Sequence, residues 1–582
     1  MNIVGLSAHF HEAACCLLQN GRLIAAAEEE RFSRIKHDAA LPARAWRFCL
    51  ETGGIDVDEV DAVAYYESPV KKLGRQLWAG RSRAGSWLPD PHRAEREIRE
   101  VLGYEGPIHF FDHHLSHAAS SFFYSGFEEA AVLTVDGVGE WDTTTYGRGR
   151  GHELSLLDSV EFPDSLGLLY STLTAYLGFR VKRDEYKVMG LAPYGEPRLL
   201  ETLRTLITVG PGGGYRLDPT CFDFVKGERM YSARLAERLG QPPRERAGEI
   251  TSFHKDVARS LQELLEQVLL EKVRYLHDLV PSANLCLAGG VALNCVANGR
   301  LAREGPFERL FVQPAAGDAG SSLGAAALAH VRLTGRRPAV GPLEHVYLGP
   351  SFTPDEVFEV LDAAGLDALD FRGREGDLLE ATVDRLVAGK VVGWFHGRME
   401  LGPRALGARS LLADPRVPDM RDRLNRAVKK REAFRPFAPS VLLDHAPAHL
   451  ELDHPSPFML ETCRVRSPLD LPAVTHVDGS ARPQTVDPRV SPRYAALLEA
   501  FHRRTGCPIL VNTSFNVRDE PIVATPQDAL SCMVDSGIDA LVLEDFLLDR
   551  ERLPAPFVAA VTCARARAHR GTSGTEALYT FI

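Results

Sequence analysis

Short apolar runs that end in glycine and lead into helical patterns recur along this chain, and that alternation confines it to α/β layers. Asn2 to Ala27 reads as strands around the turn Gln19-Asn20-Gly21, an Asn-Gly hairpin signal. Further apolar strands fall near Val63, Ile108 and Val132. The run NLCLAGGVALN from Asn284 is a buried strand entering a glycine turn. Before it, Thr251 to Leu279 carries Val257, Leu261, Leu264 and Val268 at helical spacing. Leu333 to Thr353, rich in Gly, Pro and Arg, reads as a linker. A second α/β unit then opens with a helix over 354–364. It includes KVVGWFHGRMELGPRALG and CPILVNTSFN. The charged, Trp-containing stretch Lys71 to Arg99 reads as an inserted excursion, and no sequence repeat is visible. The tail beyond Pro554 is poorly patterned and predicts a docked strand or disorder. The domain expectation is therefore 1–340, 354–553 and a tail 554–582.

With 582 residues, 45% apolar and 25% charged, the chain has the composition of a globular protein of two to four domains. A formal charge of -11 argues against nucleic acid as the main partner, since phosphate backbones are bound through an excess of Lys and Arg. The start is not read as a signal peptide, because it lacks a basic region and His11 and Glu12 interrupt its apolar run. No apolar stretch is long enough to span a bilayer. The ten Cys include no CxxC pair, which fits free thiols in a reducing cytoplasm. No residue pattern bears on oligomeric state.

Two groups of residues carry chemistry. In HFFDHHLSHAASSFF, His113 and His117 stand four apart, which on a helix puts both imidazoles on one face and within reach of one metal. The spacing alone fits two structural histidines better than a metal site. Asp112 is a candidate to orient a ligating ring. Asp136-Gly137-Val138-Gly139 ends an apolar strand, and Gly317-Asp318 opens an Ala-rich helix. Two His and two Asp suit Fe, Zn or Mn. Gly289-Gly290, leading to Asn294, is a seat for an anion or nucleotide at a strand end, where open α/β sheets bind ligands. Neither a P-loop nor GxGxxG is present.

The second group is cationic. GRMELGPRALGARSLLADPR carries Arg398, Arg404, Arg409 and Arg416, and Arg423, Lys429, Lys430, Arg431 and Arg435 follow. Arg421, Arg423 and Arg426 fit a solvated helix face. Arg404 and Arg435 adjoin Pro, Gly and apolar residues, where a charge needs an anionic partner, and guanidinium binds phosphate in a fork. Ser514 and Asn516, after a strand, add hydroxyl and amide groups.

Together the runs EEERFSRIKH, DHHLSHAASSFF, VDGVGEWDTT, EYKVMGLAPYG, LAGGVALN, PAAGDAGSSLGAA, GRMELGPRALGARS, FRPFAPS and NTSFN resemble the NodU/CmcH carbamoyltransferase family, in order, from residue 28 to about 516. The resemblance implies an N-terminal TsaD-like domain on the fold of actin and the sugar kinases, fused to a C-terminal YrdC-like α/β domain. It implies that carbamoyl phosphate and ATP (with Mg) form carbamoyl adenylate in the YrdC-like site. A hydroxyl of a small-molecule natural product then takes the carbamoyl group in the TsaD-like site, as in antibiotic tailoring, with a sugar hydroxyl of a glycosylated polyketide favoured. By resemblance His113, His117, Asp136 and Asp318 hold Fe(II). Arg404, Lys429, Arg435, Ser514 and Asn516 handle carbamoyl phosphate, and His11 and Lys36 lie beside the acceptor. An unperturbed His titrates near neutrality, so His11 is the candidate base. Departures lie in AHFHEAACC, which is compressed and has Cys for a small residue, and in RDEYKVMG, whose charged start predicts a different acceptor pocket. A tRNA threonylcarbamoylation-type enzyme shares the fold, but the acidic total and the position of the YrdC-like domain disfavour it. An actin-fold small-molecule kinase leaves His113, His117 and the Arg-rich second domain without a role.

Overall fold

A computed structural model describes residues 1–10, 12–79, 90–225 and 229–571. The chain is mixed α/β and folds into two compact units. Among the described residues, one comprises Met1–Glu29 and His37–Leu343, and the other Glu30–Lys36 with 344–571.

The first unit builds one arrangement twice. Strands β1 (Asn2–Ser7), β2 (Ala14–Gln19) and β3 (Arg22–Glu28) form an antiparallel meander. Asn20 and Gly21 both take positive φ, 50° and 77°, as the tight β2–β3 turn requires. Strands β4 (Ala62–Tyr65) and β5 (Ile108–Phe110) then add in parallel beside β1, giving the order β3-β2-β1-β4-β5. The second sheet repeats this. Strands β6 (Glu129–Val135), β7 (Asp142–Arg150) and β8 (Glu153–Glu161) form a meander. After a separate ribbon, β9 (Ile207–Val209) with β10 (Tyr215–Leu217), strands β11 (Asn284–Ala288) and β12 (Arg309–Val312) add in parallel beside β6. The repeat is one of topology and left no trace as a sequence repeat.

Small residues let the layers close. The helix Asp318–Thr334 packs on β1, β2, β4 and the helix His113–Phe122. A Cβ on Gly324 would stand 1.8 Å from the Ser116 carbonyl oxygen, and one on Gly5 2.0 Å from that of Ser322. The Ala-rich run Ala325, Ala326 and Ala327 is fully buried. Close approach of these two helices brings their N-terminal residues together.

The second unit is one large sheet. Its strands are β13 (Leu369–Asp370), β14 (Val392–Phe395), β15 (Arg409–Ala413), β16 (Ala438–Leu442), β19 (Gln484–Val486), β20 (Ile509–Ser514), β21 (Ala540–Leu543) and β22 (Phe546–Asp549); β17 (Cys463–Arg464) and β18 (Ser480–Ala481) form a side ribbon. The order β13-β22-β21-β14-β15-β20-β16-β19 mixes parallel and antiparallel pairs. Trp394, Phe395, Leu411, Leu412, Val511 and Leu541 are all buried in its core.

Two expectations need correction. The start of the tail is a helix, Ala555–Gly571, rather than a strand or disorder, and 572–582 lie outside the described residues. The expected excursion at Lys71–Arg99 is not contradicted: it takes in parts of two helices, Pro69–Trp78 and Arg93–Leu102, with 80–89 outside the described residues. Lys36, expected in the first domain, belongs to the second unit.

Candidate functional site

In the first unit four buried side chains converge. His113 and His117 sit one turn apart on the helix His113–Phe122, Asp136 follows β6, and Asp318 opens the helix Asp318–Thr334. One donor atom from each lies within 4.8 Å of all the others. His113 Nε2 is 3.0 Å from His117 Nε2, 3.3 Å from Asp136 Oδ2 and 3.7 Å from Asp318 Oδ1. His117 Nε2 is 3.6 Å from Asp318 Oδ1. The donors lie at the carboxyl end of β6 and the start of a helix, where α/β sheets hold ligands.

The surroundings aim these groups. Ser321 Oγ lies 2.9 Å from His117 Nδ1, a contact that fixes the ring and leaves Nε2 turned to the cluster. Asp136 Oδ1 accepts from the Gly290 N–H at 2.8 Å. Gly289 has φ 92°, and a Cβ there would meet the Val135 carbonyl at 2.3 Å. The two glycines therefore seat Asp136 itself. Gly137 accepts from Ser165 Oγ at 2.7 Å, and Gly317 stands against Glu12. Asn294 caps the helix Cys295–Glu304 and bonds Gln262 at 3.0 Å. Asp112 pairs with Lys71 at 2.7 Å rather than orienting an imidazole, a correction to its expected role. Glu140, to which the sequence alone assigns no role, accepts from the His113 N–H at 3.0 Å and from the Ser68 N–H at 2.5 Å. It anchors the N-terminus of the histidine helix. His11 lies outside the described residues.

Electrostatics fit a cation. Burial opposes charge on His113, but the Asp136 bond and the Asp318 charge outweigh it and push the imidazole up to about 9. Asp136, despite burial, is held well below the carboxylate range by His113 and His117. His114 is held well below its ordinary value by burial, with His113 and His117 acting in the same direction, and its Nδ1 lies 2.6 Å from Thr134 Oγ1. Two imidazole nitrogens and two carboxylates thus surround a buried point that favours positive charge. This donor set fits a divalent Fe, Mn or Zn.

The second unit gathers the other candidates. A single π-helical turn, Leu424–Val428, delivers Lys429, whose N–H reaches back to the Leu424 carbonyl at 2.8 Å; such turns are frequent at functional sites. Lys429 Nζ donates to the Ser514 carbonyl oxygen, to Asn516 Oδ1 at 2.7 Å and to Ser514 Oγ at 3.3 Å. Burial holds this ammonium well below the usual lysine value, and the charges of Arg431, Arg435 and Lys36 add to the effect. Lys429, Ser514 and Asn516 are thus brought together, with Arg435 and Lys36 close enough to be felt. Arg404 is half-buried in the β14–β15 connection.

Other arginines of that stretch have structural partners. Arg398 binds the Leu348 carbonyl at 2.6 Å. Arg409 lies over Phe395 at 3.5 Å and binds the Gly397 and Pro350 carbonyls. Arg416 pairs with Asp414 at 2.6 Å. Arg423, expected on a solvated face, pairs with Asp539 at 2.5 Å. The buried Glu400 accepts from the N–H groups of Leu406, Ala408 and Arg409 and shapes the loop that carries Arg404.

Among the described residues no helix is long and apolar enough to cross a membrane. The family model Carbamoyltransferase N-terminus matches residues 2–77 and 98–327, and Carbamoyltransferase C-terminus matches 383–550. The Uncharacterized protein sll1178 of Synechocystis is 43% identical, over 95% of this chain and 97% of that protein. Nodulation protein NolNO of Sinorhizobium fredii is 40% identical, over 94% and 80%. The 3'-hydroxymethylcephem-O-carbamoyltransferase of Amycolatopsis lactamdurans is 30% identical, over 92% and 97%. Both family models and relatives that span nearly its whole length place this enzyme in the NodU/CmcH carbamoyltransferase family.

Proposed function

We propose that this enzyme is an ATP-dependent O-carbamoyltransferase that works in two steps, activating carbamoyl phosphate in the second unit and transferring the carbamoyl group in the first. The observation that carries this reading is the pair of unlike polar clusters. One is a set of convergent donors for a divalent cation; the other is a buried lysine with hydroxyl and amide neighbours. The repeated sheet order of the first unit supports an actin- and sugar-kinase-like (TsaD-like) fold there, and the family resemblance supports a YrdC-like second unit.

In the activation step, Lys429, Arg435 and Arg404 bind the phosphoryl oxygens of carbamoyl phosphate and ATP, with Ser514 and Asn516 orienting the carbamoyl end. Water first displaces phosphate from carbamoyl phosphate and leaves carbamate; a carbamate oxygen then attacks the α-phosphorus of ATP, the bond from that phosphorus to the bridging oxygen breaks, pyrophosphate leaves, and carbamoyl adenylate is formed. In the transfer step, the acceptor oxygen attacks the carbamoyl carbon. The bond from that carbon to the phosphate oxygen breaks, AMP leaves with the electron pair, and the hydroxyl proton passes to a base, for which His11 is proposed. His113, His117, Asp136 and Asp318 would hold the metal, Fe(II) by family resemblance, which supplies a hold on phosphate oxygens. The acceptor is a small-molecule hydroxyl, as the name of the cephem relative suggests. Nine of the ten cysteines are buried and all ten are free, which supports a reducing, cytoplasmic setting.

The test is release of phosphate and pyrophosphate from ATP and carbamoyl phosphate. Wild type should release both. Arg404→Ala and Lys429→Ala should abolish pyrophosphate release. His113→Ala should keep it yet carbamoylate no acceptor. No pyrophosphate from wild type, even with candidate acceptors added, would sink the activation step.

A further inference from the structure

Asp136 is the one member of the His–Asp cluster that no helix carries, so its place depends on what holds the loop after β6. Two arms hold it. On one side the Gly290 N–H, at the start of the tight turn Gly290–Leu293, donates to Asp136 Oδ1 at 2.8 Å. On the other, Ser165 Oγ donates to the Asp136 carbonyl at 3.2 Å and to the Gly137 carbonyl at 2.7 Å. Ser165 caps the helix Leu166–Tyr176. That helix lies so close that a Cβ on Gly167 would stand 2.6 Å from the Asp136 carbonyl oxygen.

Both arms lead back to one side chain. Gln262 is fully buried on the helix Ser252–Leu279. Its Oε1 accepts from the Tyr170 hydroxyl at 3.1 Å, on the helix that Ser165 caps, and from Asn294 Nδ2 at 3.0 Å, on the residue that ends the Gly290–Leu293 turn. Its Nε2 donates to Asn294 Oδ1 at 3.0 Å and to Glu266 Oε1 at 2.9 Å. All the donor and acceptor positions of the amide are thus used. Glu266 Oε2 in turn accepts from Arg300 Nη1 at 3.0 Å, which ties in the helix Cys295–Glu304. A buried network in which every member is paired favours one arrangement, and loss of one member leaves the others with unmet polar atoms. A leucine would fill the same space, but only an amide bonds both arms at once. We propose that Gln262 is a positioning residue for Asp136, setting the affinity and coordination geometry of a divalent cation at the cluster without touching it, an inference that rests on the transfer reading above. If the arms part, the Gly290 N–H and the Ser165 hydroxyl no longer hold Asp136 together, and its carboxylate is free to turn from the histidines.

The experiment is titration of the full chain with Co2+ alone, read by calorimetry and by the visible absorption of the bound ion, which reports its coordination geometry. Wild type is compared with Gln262→Leu and with the exchange Gln262→Glu plus Glu266→Gln, which restores an amide-to-carboxylate bond between the two positions. Loss of the amide should weaken Co2+ binding by about 10-fold, the lower end of what the outer partners of metal ligands contribute, and should change the spectrum. The exchange should recover most of both. Should Gln262→Leu not fold, Tyr170→Phe and Asn294→Ala each cut one arm, and each should weaken Co2+ binding and alter the spectrum in the same direction. Wild-type affinity and spectrum in Gln262→Leu, or in both single-arm variants, overturn the proposal. So does a lower melting temperature with the spectrum unchanged, which would mark Gln262 as a packing residue alone. Failure of the parent reading looks different: wild type would take up no Co2+, or His113→Ala would take it up equally, and both ideas would fall together.

Discussion

Ser321 shows how much a single hydroxyl can set. It stands one turn beyond Asp318 on the same helix and steadies His117 through Nδ1. Ser321→Ala should lower divalent-metal affinity by roughly 10-fold with little change in fold, read by metal titration and circular dichroism. An unchanged affinity would mean that the ring is positioned by packing alone. Lys429 tests the opposite balance. It is only 3% exposed, and a buried ammonium is costly. Lys429→Met should keep or raise thermal stability, by up to about 1 kcal/mol, while ending pyrophosphate release. A large loss of stability would show that its bonds to Ser514 and Asn516 outweigh the cost of burial. At this scale the pairing of His113 and His117 was legible from helical spacing, whereas Asp136 and Asp318 were drawn to it by the family resemblance, and the four do converge. Glu140 was not legible, since a loop carboxylate reaching a distant helix end leaves no pattern in the chain.

The helix Asp318–Thr334 is built to be approached closely, and the His–Asp cluster depends on that approach. It carries Asp318, and its neighbour, the helix His113–Phe122, carries both histidines. Gly324→Val would force side-chain atoms into the Ser116 carbonyl. Its expected cost is roughly 1–3 kcal/mol in a thermal or denaturant melt, with weaker metal uptake because three of the four proposed ligands shift together. Wild-type uptake in this variant would mean that the helices part without disturbing their first turns. Element types were legible where periodicity was strong, as in the helix Ser252–Leu279 and the Asn20-Gly21 hairpin. The terminal helix was not, because Ala555–Gly571 has good helix formers but no sustained apolar stripe, and stripe rather than propensity guided the reading.

Over the whole molecule, the alternation of strands and helices predicted the layers but not the path of the chain. Residues 30–36 are covalently within the first half and fold with the second. Arg31 donates to the Gly402 carbonyl at 2.8 Å, and Arg34 to those of Ile522 and Pro521 at 2.7 and 3.0 Å. Long-range carbonyl contacts of this sort have no signature in local sequence. A chain ending at Leu343 would leave these arginines without those acceptors. Trypsin should therefore cut it first after Arg31, Arg34 or Lys36, whereas the full chain resists there, a difference that mass spectrometry of early fragments would detect. Equal resistance would show that the segment holds its shape unaided. The same seven residues bear on how such enzymes can be recombined. A graft of the second unit onto another first unit would carry a foreign peptide into its own fold unless residues 30–36 travelled with it. The heritable module is thus two pieces of gene, and shuffling at the visible linker would break it.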